Sequence, residues 1–245
     1  MQKQTTTTQT LDDMFDLQLS DLQKLPRRNV NGKRVYETPD GSQYPSVTTV
    51  TSQMNAKAIS EWRARVGNKV ANKVTAQASA RGTAVHKLCE KYILNTIEEG
   101  EIMPSNAEMF RSMAEHLDEH VTVVRSVEGF LYSDFLRTAG QVDLIAEYDG
   151  VLSIIDFKTA KKKKREDWIQ NYFVQESAYS FMFEERTGMQ VPQLVTIIGV
   201  DGESEPQVFI KNTKERNKYL LQFLTLRENY DQSNSDDLKS SEDPQ

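Results

Sequence analysis

The dipeptide Asp149-Gly150 determines how the middle of the chain can fold, because it separates two β-prone runs. Asp-Gly in this position predicts a two-residue hairpin turn, and such a turn fixes the register of the two strands. With Tyr148 opposite Val151, that register places Asp143 directly opposite Asp156 on one face of the sheet. The flanking positions are apolar, so the two carboxylates would repel each other in a partly desolvated strand centre. A divalent cation between them would remove the repulsion.

A lysine joins the two carboxylates on the same face. Lys158 lies two residues beyond Asp156, and side chains alternate along a strand. Hydrolysis of a phosphodiester needs this set: oxygen ligands for Mg²⁺ or Mn²⁺, an activated water, and a cation that orients the water or neutralises developing charge. An isolated Asp-x-Lys also fits ordinary strand residues. The register and the apolar flanks favour the metal-dependent interpretation.

The order of elements along the chain predicts an α/β fold with a central mixed β-sheet flanked by helices. A Pro39-Asp40-Gly41 turn indicates an early hairpin, and helical sequence begins near Ala56. Further helices are predicted over 84–98, 106–120, 166–187 and 213–230, and strands over 121–132, 138–148, 151–159, 193–200 and 207–211. We divide the chain into a flexible or partner-docking arm (1–30), a hairpin and helical lobe (31–80), a catalytic core (81–230) and an acidic disordered tail (231–245).

Composition narrows the class of protein. No apolar run approaches the roughly 20 residues that span a bilayer, and the Thr-rich start resembles neither a signal nor a transit peptide. We therefore expect a cytoplasmic protein of a bacterial or phage-infected cell, without a membrane partner. The net charge of −6 argues against a general polyanion binder, but much of it lies in the tail, which leaves room for a locally basic face. The single cysteine, Cys89, permits no four-cysteine iron-sulfur cluster.

Two pairs of polar side chains are predicted to lie beside the hairpin. His86 and Glu90 share one helix face, where the imidazole could complete a metal site that accepts Mn²⁺ as well as Mg²⁺. A lone helical histidine also fits a structural role, and Glu90 fits either a surface acid or a ligand acting through water. Gln175 and Tyr179 form a second pair four residues apart, which could bind a phosphate, hold a catalytic ligand or make surface contacts.

Basic and aromatic side chains near the site predict contacts with a nucleic acid. A basic run follows the catalytic strand and would either neutralise phosphates at the mouth of the site or form a solvated loop. It comprises Lys161, Lys162, Lys163, Lys164 and Arg165. Trp62, Tyr44 and Tyr172 could stack on bases, although core packing explains Trp62 equally well.

Four ordered motifs resemble a known family. They are Arg81-Gly82-Thr83-Ala84-Val85-His86, Gly140-Gln141-Val142-Asp143, Asp156-Phe157-Lys158 and Gln175-Glu176-Ser177-Ala178-Tyr179. Together they resemble the RecB-type branch of the PD-(D/E)XK nucleases and, within it, the mitochondrial genome maintenance exonucleases and exonucleases of tailed phages. The proline that gives the superfamily its name is Val142 here.

The resemblance implies a restriction-endonuclease-like core and a role for each matched residue. Metal would be held by His86, Asp143, Asp156 and the backbone carbonyl of Phe157, and Lys158 would be the catalytic lysine. Gln175 and Tyr179 would match the branch's catalytic Gln-x-x-x-Tyr motif, and we assign Arg81 to DNA binding together with Trp62 and the basic run. Some relatives carry an iron-sulfur cluster, which this chain cannot form.

The resemblance also implies cleavage of single-stranded DNA from an end that threads through a helical passage. We therefore expect a Mg²⁺- or Mn²⁺-dependent DNA exonuclease that acts on single-stranded ends or flaps in DNA replication, recombination or repair. Replication or recombination proteins would bind through the N-terminal arm or the C-terminal tail. Two alternatives remain: a structure-specific endonuclease of the same chemistry, and a non-catalytic nucleic-acid-binding module.

Overall fold

The computed structural model describes residues 15–30, 32–98 and 100–241, with the backbone alone described over 235–241. The strands in this part of the chain are β1 (Asp16–Leu17), β2 (Arg27–Val30), β3 (Lys33–Glu37), β4 (Gln43–Pro45), β5 (Val121–Ser133), β6 (Thr138–Tyr148), β7 (Val151–Ala160), β8 (Gln193–Val200) and β9 (Gln207–Lys211). The helices are α1 (Val47–Thr51), α2 (Ala56–Val66), α3 (Asn68–Ile93), α4 (Pro104–His120), α5 (Gln170–Thr187) and α6 (Thr213–Ser241), with short 3-10 helices at Ser52–Asn55 and Glu166–Trp168.

The centre of the fold is a six-stranded mixed sheet with the strand order β1-β5-β6-β7-β8-β9. β1 pairs with β5 and β7 with β8 in parallel, and the other neighbours pair antiparallel. A second, small sheet consists of β2, β3 and β4 and contains the predicted Pro39-Asp40-Gly41 hairpin. The predicted α/β fold with a central mixed sheet is confirmed.

Helices cover both faces of the large sheet, because alternate strand residues are apolar on both sides. Ile154 and Leu194 pack with α1, α5 and α6 on one face. Ile155 and Val195 pack with α3 and α4 on the other face. Within the described residues, no helix combines the length and the apolar character that a membrane span requires.

The predicted hairpin register is confirmed for most of its length. Asp149 and Gly150 both have positive φ, as the tight turn requires, and the pairing runs from Tyr148–Val151 to Leu144–Ile155. The pairing of Asp143 with Asp156 is wrong, because the ladder ends one residue earlier. Alternation breaks at Asp143: the residue before it packs against one face of the sheet and Leu144 packs against the other. Asp143 Oδ2 instead accepts a hydrogen bond of 2.9 Å from the backbone N–H of Phe157.

One predicted helix begins much earlier than expected. We placed its start at Ala84, after Arg81-Gly82-Thr83, but α3 runs without interruption over Asn68–Ile93. The preceding segment, residues 68–80, contains four alanines and two lysines, which favour helix, and a single internal glycine costs only about 1 kcal/mol. The boundary that we placed between residues 80 and 81 therefore lies inside a helix.

Parts of both terminal regions form regular elements. In the arm predicted to be flexible or partner-docking, Phe15 and Leu25 are buried, and Arg27–Val30 forms a strand; residues 1–14 lie outside the described residues. The closing helix was expected to end near Tyr230 and to precede a disordered tail, yet α6 continues to Ser241. Asp231 forms ion pairs with Arg137 and Arg227, which fix the first turn of this continuation. Residues 242–245 lie outside the described part.

Candidate active site

A cavity of about 520 Å³ opens between α3, the middle strands of the large sheet and the start of α5. Residues from each of the four motifs reach its wall. The wall includes the predicted residues His86, Glu90, Asp143, Lys158, Gln175 and Tyr179. Asp156 lies behind the wall with 3% of its surface exposed. The structure thus brings together the residues that the motifs share, although they come from distant parts of the chain.

Three potential metal ligands meet in this cavity. One ligand atom each from His86, Glu128 and Asp143 lies within 4.8 Å of the other two. His86 Nδ1 is 3.4 Å from Asp143 Oδ2, and the imidazole packs edge-on against the Phe157 ring. An imidazole with two carboxylates is a donor set suited to Mn²⁺ and related divalent ions. Asp156 and the Phe157 carbonyl are not part of this group, and their metal-binding roles stay predictions.

Glu128 is the functional candidate that the sequence did not reveal. The register of β5 against β6 pairs Val127 with Leu144 and Gly129 with Val142, which brings Glu128 level with Asp143. Glu128 has a φ of 51°, a left-handed conformation that is uncommon in a strand, and the Gln141 amide donates to its carbonyl at 3.1 Å. The irregular backbone therefore turns this side chain into the cavity.

The charges in the cavity favour a bound cation. Burial raises the pKa of Glu128 to about 7, and the negative charges of Asp143 and Glu90 add to the effect. Carboxylates whose ionised forms oppose one another in a desolvated site are stabilised by a divalent ion. The donors and their charge therefore fit a divalent metal.

Asp156 and Lys158 form an ion pair beside the potential metal ligands. Burial raises the pKa of Asp156 to about 6, and attraction to Lys158 limits the rise. Desolvation acts against the ammonium, but attraction to Asp156 and Asp143 outweighs it and raises the pKa of Lys158. Lys158 therefore remains charged at neutral pH. Its Nζ also lies 5.1 Å from the centre of the Tyr172 ring, at a distance that permits a cation–π contact.

Helix α5 holds the strand residues in place. The side-chain amide of Gln175 donates a hydrogen bond of 2.9 Å to Asp156 Oδ1. Tyr179, one turn later, is buried against the backbone of Gly140, and burial raises the pKa of its phenol, which stays protonated. Both residues thus contact the β6–β7 region, as their spacing on one helix face allows.

Several predicted DNA-binding residues lie outside the cavity wall. Glu90 does line the wall, where it forms an ion pair with Lys87 at 2.7 Å. Arg81 is half-buried beside the cavity without forming part of its wall. The basic run does not reach the wall either. Lys161 and Lys162 are exposed, Lys163 pairs with Glu203 and Arg165 with Asp167, while Lys164 and Trp62 line a different groove. None of these five basic residues lines the cavity wall, and their contact with a nucleic acid stays a prediction.

Comparisons with known proteins identify the family. The sequence model of the PD-(D/E)XK nuclease superfamily matches residues 59–240. Mitochondrial genome maintenance exonuclease 1 from Xenopus tropicalis is 27% identical over 128 residues, which are 49% of this chain and 37% of that protein. The Homo sapiens protein of the same name is 28% identical over 139 residues, 53% of this chain and 40% of its own length. The matches thus span two fifths or less of these relatives.

A solved structure from Eubacterium rectale, described as a candidate exonuclease, aligns with a TM-score of 0.38 and 12% identity over 61% of this chain and 68% of that one. The superfamily match is the decisive comparison, because it covers more than half of the chain and includes all four motifs. The chain belongs to the PD-(D/E)XK nuclease superfamily.

Proposed function

We propose that this protein is a Mg²⁺- or Mn²⁺-dependent exonuclease that hydrolyses single-stranded DNA from ends or flaps. The observation that carries the proposal is the cluster of His86, Glu128 and Asp143 beside the ion pair of Asp156 and Lys158. A non-catalytic binding module would have no need for clustered carboxylates that face a polyanion. Nucleases of this superfamily use divalent metal ions, which agrees with the donor set.

Each residue of the cluster contributes a distinct property to hydrolysis. A divalent ion supplies a Lewis acid for the phosphate and activation of a water molecule. His86, Glu128 and Asp143 offer one nitrogen and two carboxylate donors for such an ion. Lys158, which keeps its proton, can donate to a phosphate oxygen or to the attacking water, and Asp156 anchors its ammonium.

The choice of an exonuclease acting on single-stranded DNA rests on similarity. Both curated relatives are named exonucleases, and the four motifs resemble a branch that degrades single strands. Roles in replication, recombination or repair, and partner proteins bound through the two ends of the chain, stay predictions. Hydrolysis rests on the site and the requirement for a single-stranded end rests on similarity, so the experiment tests hydrolysis and end dependence separately.

The experiment uses single-stranded DNA labelled at one end at a time, with Mg²⁺, Mn²⁺ or EDTA. We expect the wild type to release short labelled products with Mg²⁺ or Mn²⁺ but not with EDTA. Asp156→Asn and Lys158→Ala should abolish cutting. Glu147→Gln changes an acid on the same strand as Asp143 but outside the cavity, and is the matched control. A covalently closed circular strand should stay intact, because an exonuclease requires an end. Full activity of either variant, or full activity of the wild type in EDTA, contradicts metal-dependent hydrolysis at this site. Cutting of the circular strand contradicts only the requirement for an end.

A further inference from the structure

Both tryptophans of the chain line one groove outside the active-site cavity. The groove has a volume of about 300 Å³ and is formed by Trp62 on α2, Trp168 at the end of a 3-10 helix, and Tyr172 on α5, together with Lys164. We call these four residues and the space between them the tryptophan groove. Two indole side chains that lie 106 positions apart in sequence thus line the same depression.

The apolar surface of this groove is unusually open. Trp168 has 62% of its surface exposed, and the neighbouring Ile59 has 50% exposed. Neither indole packs against another aromatic ring in the described part of the chain. Large exposed apolar side chains that line a concave surface mark a binding site rather than a core. Most of the Trp168 surface, and part of the half-buried Trp62, is therefore available to a flat ligand.

A basic run beside the groove favours a polyanion, although Arg165 pairs with Asp167 and the whole chain has a net charge of −6. The loop that ends in Lys164 and Arg165 carries five consecutive basic residues. Two hydrogen bonds of 2.7 Å between the Lys164 backbone and the Gln207 side chain hold this loop against β9. The Arg165 guanidinium lies 5.5 Å from the Trp168 ring centroid, so a cation and an aromatic face are presented together.

The groove is connected with the active site through Tyr172. Its ring lines the groove, and Lys158 Nζ lies 5.1 Å from the ring centroid on the side of the active-site cavity. Tyr172 and Gln175 are three residues apart on α5 and therefore lie on neighbouring positions of one helix face. A single ligand strand can thus contact both sites.

We propose that the tryptophan groove binds nucleobases of the single-stranded DNA substrate by stacking, next to the position at which the strand is cut. This inference rests on the proposed function and names a contact of the same substrate. Aromatic faces stack on every base, so the groove holds a strand without reading its sequence, while Lys164 and Arg165 neutralise its phosphates. A duplex keeps its bases stacked inside the helix and has none to offer to the groove.

The test measures binding of the full chain to an oligothymidylate and to an abasic oligomer of equal length, both in EDTA. Tryptophan emission reports contact with the groove directly, because both tryptophans lie in it. We expect oligothymidylate to quench this emission and Trp62→Leu and Trp168→Leu to bind it about five-fold or more weakly. Trp168→Phe, which keeps an aromatic face, should restore most of the affinity. Phe135→Leu removes another exposed aromatic ring outside the groove and should have no effect.

The abasic oligomer separates stacking from charge. It should bind more weakly than oligothymidylate and equally to the wild type and both leucine variants. The stacking site is overturned if the leucine variants lose affinity for both oligomers equally, or if Trp168→Leu binds oligothymidylate as tightly as the wild type. Either result counts against stacking even if the wild type cuts DNA with metal. The patch would then suit a protein partner. Absence of both binding and cutting by the wild type overturns the proposed function as well. Trp168 is largely exposed, so its variant is informative even if Trp62→Leu fails to fold.

Discussion

The side-chain amide of Gln175 donates a hydrogen bond of 2.9 Å to the carboxylate of Asp156. The bond joins α5 to β7 immediately behind the cavity, and it fixes one oxygen of a carboxylate whose other oxygen pairs with Lys158. A partner of this kind orients a catalytic group without touching the substrate itself. We infer that Gln175 is a positioning residue.

Gln175→Met keeps the length of the side chain but removes the donor. We expect cleavage of single-stranded DNA to fall about 10- to 100-fold, because loss of such a supporting contact typically has that effect. The fall should appear in kcat more than in KM, since DNA binding does not depend on this bond. Gln170→Met, in the first turn of the same helix, should cut at the wild-type rate. Equal cleavage rates for the two variants would show that Gln175 does not position Asp156.

Glu128 supplies one of the two carboxylates in the proposed metal cluster. Glu128→Gln preserves its shape and removes its charge, so we expect Mn²⁺ binding, measured by titration calorimetry, to weaken about ten-fold or more. Glu147→Gln is again the control, because its side chain lies outside the cavity. Identical Mn²⁺ affinity of Glu128→Gln and the wild type would show that Glu128 is not a ligand.

Gly140 and Tyr179 are in close contact, and this contact explains the glycine in the second motif. A Cβ atom at position 140 would lie 2.6 Å from the Tyr179 hydroxyl oxygen and 2.7 Å from the ring carbon Cε1. We expect Gly140→Ala to reduce the free energy of unfolding by about 1–3 kcal/mol, the usual cost of overpacking. Urea denaturation would measure it.

The same measurement on two further variants tests the cause. In Gly140→Ala/Tyr179→Ala the steric conflict is absent, so the effects of the single substitutions should not add. Gly82→Ala should instead stabilise by up to about 1 kcal/mol, because Gly82 lies within α3 and a Cβ there meets only Thr159 Oγ1 at 3.7 Å. Additive losses would show that the Tyr179 ring does not limit position 140.

Local signals in the sequence predicted most of the fold. The Asp149-Gly150 turn fixed the pairing of β6 and β7 as far as Leu144, because a two-residue turn allows one register. The helix predicted from residue 84 is also present as the second half of α3, where Val85, Leu88 and Cys89 are all buried. In both cases the information lies within a few residues of the element that it determines.

The features that the sequence did not reveal depend on distant contacts. Glu128 reaches the cavity because of the pairing of β5 with β6, and the longer connection between these strands, residues 134–137, does not fix a register in the way that Asp-Gly does. The break at Asp143 likewise requires the backbone N–H of Phe157 as a partner. Nothing in the local sequence of Trp168 shows that it lines the same groove as Trp62.

Glu176 is a buried acid that adjoins the site without lining it. Its side chain is fully buried, and one oxygen pairs with the hydroxyl of Thr196, the residue that lies beside Asp156 in the sheet. Burial, with repulsion from Asp156, raises the pKa of Glu176 well above its usual range. The folded protein therefore favours the protonated form. Its contribution to stability is fully present below the unfolded-state pKa and is lost as the pH rises towards the folded-state pKa.

Glu176→Gln should remove this pH dependence, because glutamine is neutral at every pH and has nearly the same shape. We expect the variant to gain stability relative to the wild type as the pH rises above about 4.5, by at most about 1.4 kcal/mol per pH unit. Urea denaturation from pH 4.5 to pH 9 without added metal measures the difference. Glu185→Gln, on the same helix but exposed, should follow the wild-type curve. Parallel curves for Glu176→Gln and the wild type would mean that folding does not change the pKa of Glu176.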